Sequence, residues 1–265
     1  TEFNERPGQG SLDPRPGVAG KRPGTATFET EVVGNGASGL PAWASTLLPC
    51  CGFIATGATF KPITSDANHK TATIGKFENG RLRYIAGAMG KLSIKLTVGM
   101  PGMISWDFSG RYGLDADVAL IAPTYPITMP PVFESGTFTI GGTAHLIREL
   151  TINIENQIYV REDPNSTGGL HSAVVTKRIT TISVDPEASL IATKDWQASL
   201  LSNTLAALNC VINGGANNTV TINAPKVQVR KRSVGNRDGL LTDPLDLLCV
   251  RNAAAGDDSL TIAFS

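Results

Sequence analysis

Three histidines, four cysteines and two close pairs of aspartates are the residues with the chemistry for catalysis or metal binding, and their spacing supports neither. His69, His145 and His171 lie in unrelated polar segments, where solvent-exposed imidazoles are expected. Cys50 and Cys51 are neighbours, which rarely bridge each other, and with Cys210 and Cys249 they make no CxxC or Cys/His ligand pattern. Buried thiols in a reducing compartment are the expectation, with no metal site and no cofactor. Asp115 with Asp117, and Asp257 with Asp258, sit in Gly- or Ala-rich loops without the other oxygen ligands of a calcium site, so they read as solvated loop ends. The N-terminal run RPGQGSLDPRPG lacks the GxxxxGK spacing of a phosphate loop and reads as a flexible arm or a long hairpin tip. With no nucleophile beside a base, an enzyme is not expected.

Cations offer one further possibility. Lys226, Gln228, Arg230 and Arg232 alternate along one strand face, and Lys91, Ser93 and Lys95 occupy matching places earlier in the chain. A nucleic-acid surface would need aromatic or further basic support that is missing. The reading for Lys91, Lys95, Lys226, Arg230 and Arg232 is therefore a basic face between subunits. Lys plus Arg equal Asp plus Glu at 23 each, so no global field recruits a polyanion or an anionic membrane. No apolar stretch approaches the roughly 20 residues of a membrane span, no signal peptide opens the chain, and no membrane contact is expected.

Strand-like alternation positions most of these residues. Ala26, Phe28, Thr30 and Val32 alternate with an acidic outer side that carries Glu29 and Glu31. Leu92, Ile94, Leu96 and Val98 alternate with Lys91, Ser93, Lys95 and Thr97. GTFTIGG reads as a strand ending in a Gly-Gly turn. In RELTINIE, Leu150, Ile152 and Ile154 face inward while Glu149, Thr151, Asn153 and Glu155 face out. Val227 and Val229 continue the pattern. Two segments look helical, 41–48 and 193–205, the second with Thr193 as N-cap. Their apolar stripes make Trp43, Leu47 and Leu48, and Trp196, Leu200 and Leu201, the expected anchors on a sheet.

Those two helices also expose an internal repeat. WASTLL (43–48) matches WQASLL (196–201), and each follows a basic pair and a strand, Lys21-Arg22 and Lys177-Arg178. Further upstream, Arg6 answers Arg161. Downstream, TATI (71–74) answers TVTI (219–222), and residues 88–99 match 224–235 in length. A fixed order of weak matches argues for one unit present twice. The expected organisation is a unit at 1–113, a Pro-rich extended linker at 114–134 and a second unit at 135–265, each a β-sandwich with one short flanking helix. Unit 1 carries about 17 extra residues near IATGATFKPITSDANHK, expected to project as a polar loop or hairpin that reaches other subunits. The strand that should precede Arg6 is expected upstream of Thr1, and the missing initiator Met points to processing or to an internal start.

KRPGTATFETEVVGNGASGLPAWASTLLPCCGF (21–53), AGAMGKLSIKLTVGMPGMISWDFSGRY (86–112), PTYPITMPPVFESGTFTIGG (123–142) and RITTISVDPEASL followed by DWQASLL (178–201), with a weaker NRDG (236–239), resemble the tail tube (major tail) proteins of long-tailed bacteriophages with non-contractile tails. The resemblance implies a virion protein whose β-sandwich tube domains assemble into rings. The rings stack into a conduit with a β-barrel lumen for genomic DNA. It also implies partners in the chain itself, a tape measure protein, a tail terminator and hub proteins, with double-stranded DNA passing transiently and assembly in the host cytoplasm. Rings of this family commonly hold six tube domains, so a doubled chain would form a trimeric, pseudo-hexameric ring. A conduit wall should not grip phosphates. Glu29, Glu31, Glu149, Thr151, Asn153 and Glu155 are accordingly the expected lumen residues, with the basic face turned away from the bore. A tail hub or distal tail protein that caps the tube, or a β-sandwich binding module, are the alternatives. The low aromatic content of 6% weighs against a carbohydrate-binding surface.

Overall fold

The computed structural model describes residues 1–4, 13 and 16–265, which form a mainly β fold with two short α-helices. The first part of the chain holds β1 (Phe3–Asn4), β2 (Val18–Ala19), β3 (Pro23–Glu31), α1 (Ala42–Leu47), β4 (Phe53–Thr56) and β5 (Thr59–Pro62). It continues through β6 (Ala72–Glu78), β7 (Arg81–Thr97), β8 (Met103–Tyr112) and β9 (Ala116–Asp117). Next come β10 (Phe138–Ile140), β11 (Thr143–Ala144), β12 (Glu149–Glu162), β13 (Leu170–Val184) and α2 (Trp196–Leu201). Last are β14 (Leu205–Ile212), β15 (Val220–Arg232), β16 (Gly235–Arg237), β17 (Leu240–Thr242), β18 (Leu245–Cys249) and β19 (Thr261–Phe264).

Seven strands run antiparallel side by side in the order β3-β8-β7-β12-β13-β18-β15. Period-2 alternation gives them an apolar and a polar side. One inward row, Thr30, Ile104, Ile94, Ile152, Ile182, Leu247 and Val229, crosses every strand in register. β-Branched and leucine side chains fill such a pleated surface well, which fixes the register because a one-residue slip would expose the whole row. The next row brings Phe28, Trp106, Leu92 and Ile154 together, with the Trp106 indole N–H donating to Thr30 Oγ1 at 2.8 Å.

A second run continues as β11-β10-β14-β15-β19-β5-β4. β15 serves both: Val220–Asn223 pairs with β19, and Val227–Arg232 with β18. Its buried side chains shift parity between Ala224 and Val227, so a local irregularity turns the strand from one run into the other. Both runs contribute to one contiguous core. β3 pairs with β8 and β8 with β7, as β13 pairs with β18 and β18 with β15, and a helix follows the first strand of each set. Strands far apart in the chain also pair. β12 pairs Glu149–Ile154 with Leu92–Thr97 of β7, and β5 pairs Phe60 with Ile262 of β19.

Several expectations need correction here. Of the loop or hairpin expected near 54–70, the hairpin forms, as β4 and β5, but it does not project: it is stitched onto β19, and Phe60 is 0% exposed. Its alternating FIAT and TFKP could have signalled strands, but only the tertiary partner Ile262 turns them inward. α2 is one short turn pair rather than 193–205. Asp195, not Thr193, caps it by accepting from the Ala198 N–H at 2.8 Å, and Leu205 already begins β14. Val98, placed inside by alternation, is half exposed because β7 ends at Thr97. The arm retains a short β1–β2 ladder, while Arg6 lies outside the described residues.

Candidate functional site

The polar side of the seven-strand run is the candidate site. β3 presents Glu29 and Glu31 there, β8 Ser105 and Asp107, β7 Lys91, Ser93 and Lys95, and β12 Thr151, Asn153 and Glu155, with Glu149 at its start. Cross-strand register decides the contacts. Lys91 Nζ stands 3.7 Å from Asp107 and 3.4 Å from Glu155, and Lys95 Nζ is 3.8 Å from Glu149. Ser93 Oγ donates to Asn153 Oδ1 at 2.7 Å, and Ser105 Oγ to Glu29 at 2.8 Å. Exposed pairs of this kind add only about 0–1 kcal/mol each to stability. Their consequence is electrostatic: both ammonium groups of β7 are flanked by carboxylates.

The expected separation of glutamates from the basic ladder therefore does not hold for Lys91 and Lys95. They share the face with Glu149 and Glu155, because β7 and β12 pair in register and equal parity puts their polar residues on one side. Lys226 donates to the Asn252 carbonyl at 2.8 Å, and Arg230 is exposed on β15. Arg232 turns to Asp243, a 3% exposed carboxylate it meets at 2.7 Å, so it belongs to a buried-edge pair rather than to a ladder.

No other cluster competes as a chemical site. Among the described residues no group of three or more His, Cys, Asp or Glu could hold a metal ion, and no helix is long and apolar enough to cross a membrane. All four thiols are buried, and burial pushes Cys50 up to about 11 and Cys210 and Cys249 up to about 12, so they stay protonated at neutral pH. His69 is buried, its Nε2 2.9 Å from the Ile63 carbonyl oxygen, and His145 packs on Trp196, so only His171 keeps the expected exposure. Asp257 and Asp258 are likewise not idle loop ends. Asp257 accepts from Thr64 Oγ1 at 2.6 Å and faces Arg178 at 3.5 Å, while Asp258 takes the backbone N–H groups of Asn252 and Ala253. Asp115 faces Arg81 and Arg83 and accepts from the Tyr112 hydroxyl.

Two residues that the sequence did not single out for chemistry hold distant segments together beneath this face. Asn156 on β12 is 6% exposed and donates to the carbonyls of Cys51 and Gly90 at 2.9 and 2.7 Å. Arg178 on β13 donates to the Gly52 carbonyl at 2.9 Å, and burial, partly offset by Asp257, lowers its pKa. Asn156 follows the inward alternation of Ile152 and Ile154, so a polar residue at an apolar phase was the available signal.

A broad, regular polar sheet fits a structural family. The family model of phage tail tube proteins matches residues 4–258. The chain belongs to the phage tail tube protein family. No curated protein matches it. A phage tail tube protein is a structural component of the virion tail, which agrees with a surface built from paired charges and hydroxyls. In this tail tube protein the helix anchors behave unequally. Trp196 is 3% and Leu48 0% exposed, and Trp43, Leu47 and Leu200 are partly buried. Leu201, expected as an anchor, is 73% exposed, because α2 ends there without a covering strand.

Proposed function

We propose that this tail tube protein forms a ring in which the polar side of the seven-strand run faces the bore, and that the rings stack into the DNA conduit of a long, non-contractile tail. The observation that carries the reading is the charge arrangement of that side. On β3, β8, β7 and β12 five carboxylates (Glu29, Glu31, Asp107, Glu149 and Glu155) surround two ammonium groups (Lys91 and Lys95), and both cations are paired. A wall whose lysines at this junction are both paired, with Arg111 of β8 and Lys177 of β13 its unpaired cations nearby among the described residues, offers phosphates little counterion-release gain and lets duplex slide. Glu29, Glu31, Glu149, Thr151, Asn153 and Glu155 are the lumen residues in this reading.

The recurring strand pattern supports a duplicated tube unit, divided at 1–113 and 135–265, and three chains would then give six units around a trimeric ring. Assembly with a tape measure protein, a terminator and a hub, in the host cytoplasm, follows from the same role. Negative-stain imaging of the purified protein tests it: open-ended tubes of stacked rings are expected. Single rings that never lengthen would favour a hub or distal cap, and a monomer under all conditions would reject the tube. Changing Glu149 and Glu155 to Lys leaves four cations at the β7–β12 junction. Genome delivery should then slow and become salt-sensitive.

A further inference from the structure

β13 carries a basic pair into a cleft. Its register with β12 shifts between Gln157 and Ile158, leaving Thr176 as the extra residue of a bulge whose Oγ1 donates to the Gln157 carbonyl at 3.1 Å. Lys177 and Arg178 would point to opposite faces of a regular strand, yet beside this bulge both line one cleft. β18 pairs with β13 over 181–184. Beside 175–178 the walls are instead residues of the segments 63–69 and 249–259, which leave a volume of about 390 Å³.

Cations dominate that cleft. Arg178, its side chain 16% exposed, donates to the Gly52 and Ile63 carbonyls at 2.9 and 3.4 Å. Asp257, the one carboxylate among the lining residues, is engaged by Thr64, accepting from its backbone N–H at 3.0 Å and its Oγ1 at 2.6 Å, and it meets Arg178 only at 3.5 Å. Burial therefore holds the Arg178 pKa below its ordinary value despite Asp257. Lys177 and Arg251 line the cleft as exposed cations with no carboxylate partner among the described residues. His69 forms a further wall: its side chain is 7% exposed, Nε2 lies 2.9 Å from the Ile63 carbonyl oxygen, and Nδ1 is buried without a hydrogen-bond partner. The same ring lines an adjoining cleft of about 370 Å³ that adds Lys70 and Arg161.

We infer that the cleft beside 175–178 binds a small oxyanion of the phosphate class, gripped by Arg178 from below and by Lys177 and Arg251 at the rim. A buried guanidinium calls for a close anion, and one long contact to a carboxylate already bonded by Thr64 compensates it poorly. Guanidinium N–H groups form a fork that fits a tetrahedral oxyanion, while the ammonium adds a point charge. Three cations against one carboxylate leave two formal positive charges among the lining residues, which suits a doubly charged ion. The volume admits that ion with several of its waters, each taking about 30 Å³. Arg178 stands opposite the buried Asn156, beneath the sheet, so a duplex passing over the polar side does not reach it. A bound ion would tie β13 to the segments that leave β5 and enter β19, the two strands paired near α1.

Titration calorimetry of the purified chain with sodium phosphate tests the site, at neutral pH and an ionic strength held constant with NaCl; no ring or tube is needed for it. One saturable site per chain is expected. Melting should rise with phosphate and stay level with NaCl, because a ligand of the folded state stabilises it by mass action. K177Q/R251Q removes two exposed cations, so this variant should melt normally without phosphate while its affinity falls by about tenfold or more. K76Q/K231Q, an equal loss of charge outside the cleft, should bind phosphate as the unaltered chain does. No saturable binding, or equal affinity in K177Q/R251Q, would overturn the site. A matching fall in K76Q/K231Q would replace it with a general field effect. Acetate bound as tightly as phosphate would overturn the phosphate class and assign the cleft to a carboxylate.

Discussion

The helices α1 and α2 carry nearly the same hexamer and meet different fates. Around α1, the Trp43 indole donates to the Val33 carbonyl at 2.9 Å and lies 6.1 Å from Trp106 and 5.6 Å from Phe264, a residue of the last strand. The hairpin β4–β5 pairs with β19 and holds that strand over the helix. α2 has no such cover. Trp196 is buried against His145, with Lys194 Nζ 4.8 Å above its ring, but its indole N–H finds no acceptor, and Leu201 and Leu205 remain open. The same local sequence gives the same local helix. What it buries depends on which distant strand arrives.

The sharpest way to break the first environment is through the hairpin. Phe60→Ala removes a fully buried ring that contacts Phe264 at 6.1 Å, and should cost about 3–5 kcal/mol in urea unfolding. A cost below about 1 kcal/mol would mean the hairpin is not part of the core. Next in size, Leu48→Ala should cost about 2–5 kcal/mol, whereas Leu201→Ala at the matching place should stay within about 0.5 kcal/mol. Equal losses would show that the two helices are buried alike. Trp43→Phe loses a satisfied hydrogen bond and should destabilise by about 1 kcal/mol beyond the change in ring size. Trp196→Phe removes an unpaired buried donor and should be near neutral or stabilising in the same assay.

The smallest effect is a pH dependence confined to the α2 side. Burial, then the charge of Lys194, lowers the His145 pKa below its ordinary value of 6.5. Its contribution to stability is full above that value and is lost as pH falls through the lowered one, since the unfolded chain takes up the proton first. Melting at about pH 7.5 and about pH 5 should differ less in His145→Phe than in the unaltered protein. An unchanged difference would assign the acid sensitivity elsewhere.

Much of this was legible in the chain because period-2 alternation is a local property. Leu150, Ile152 and Ile154 faced inward as their spacing required, Glu29 and Glu31 faced out, and Gly141 and Gly142 took the positive φ of the turn expected from GTFTIGG. Segment similarity carried the family as well. Exposure of a face is also local, but the sign of its neighbours is not. That Lys91 stands beside Glu155, and Lys95 beside Glu149, follows from the pairing of strands more than 50 residues apart, with |i−j| of 64 for the first pair. The same holds for the insertion, whose apolar residues had no visible destination until β19 returned beside β5, and for Leu201, whose stripe position counted for nothing without a strand above it. The sequence by itself determined which residues alternate. Tertiary structure decided which strands became neighbours, and therefore which charges were paired, because register across strands is set by long-range packing of the apolar rows.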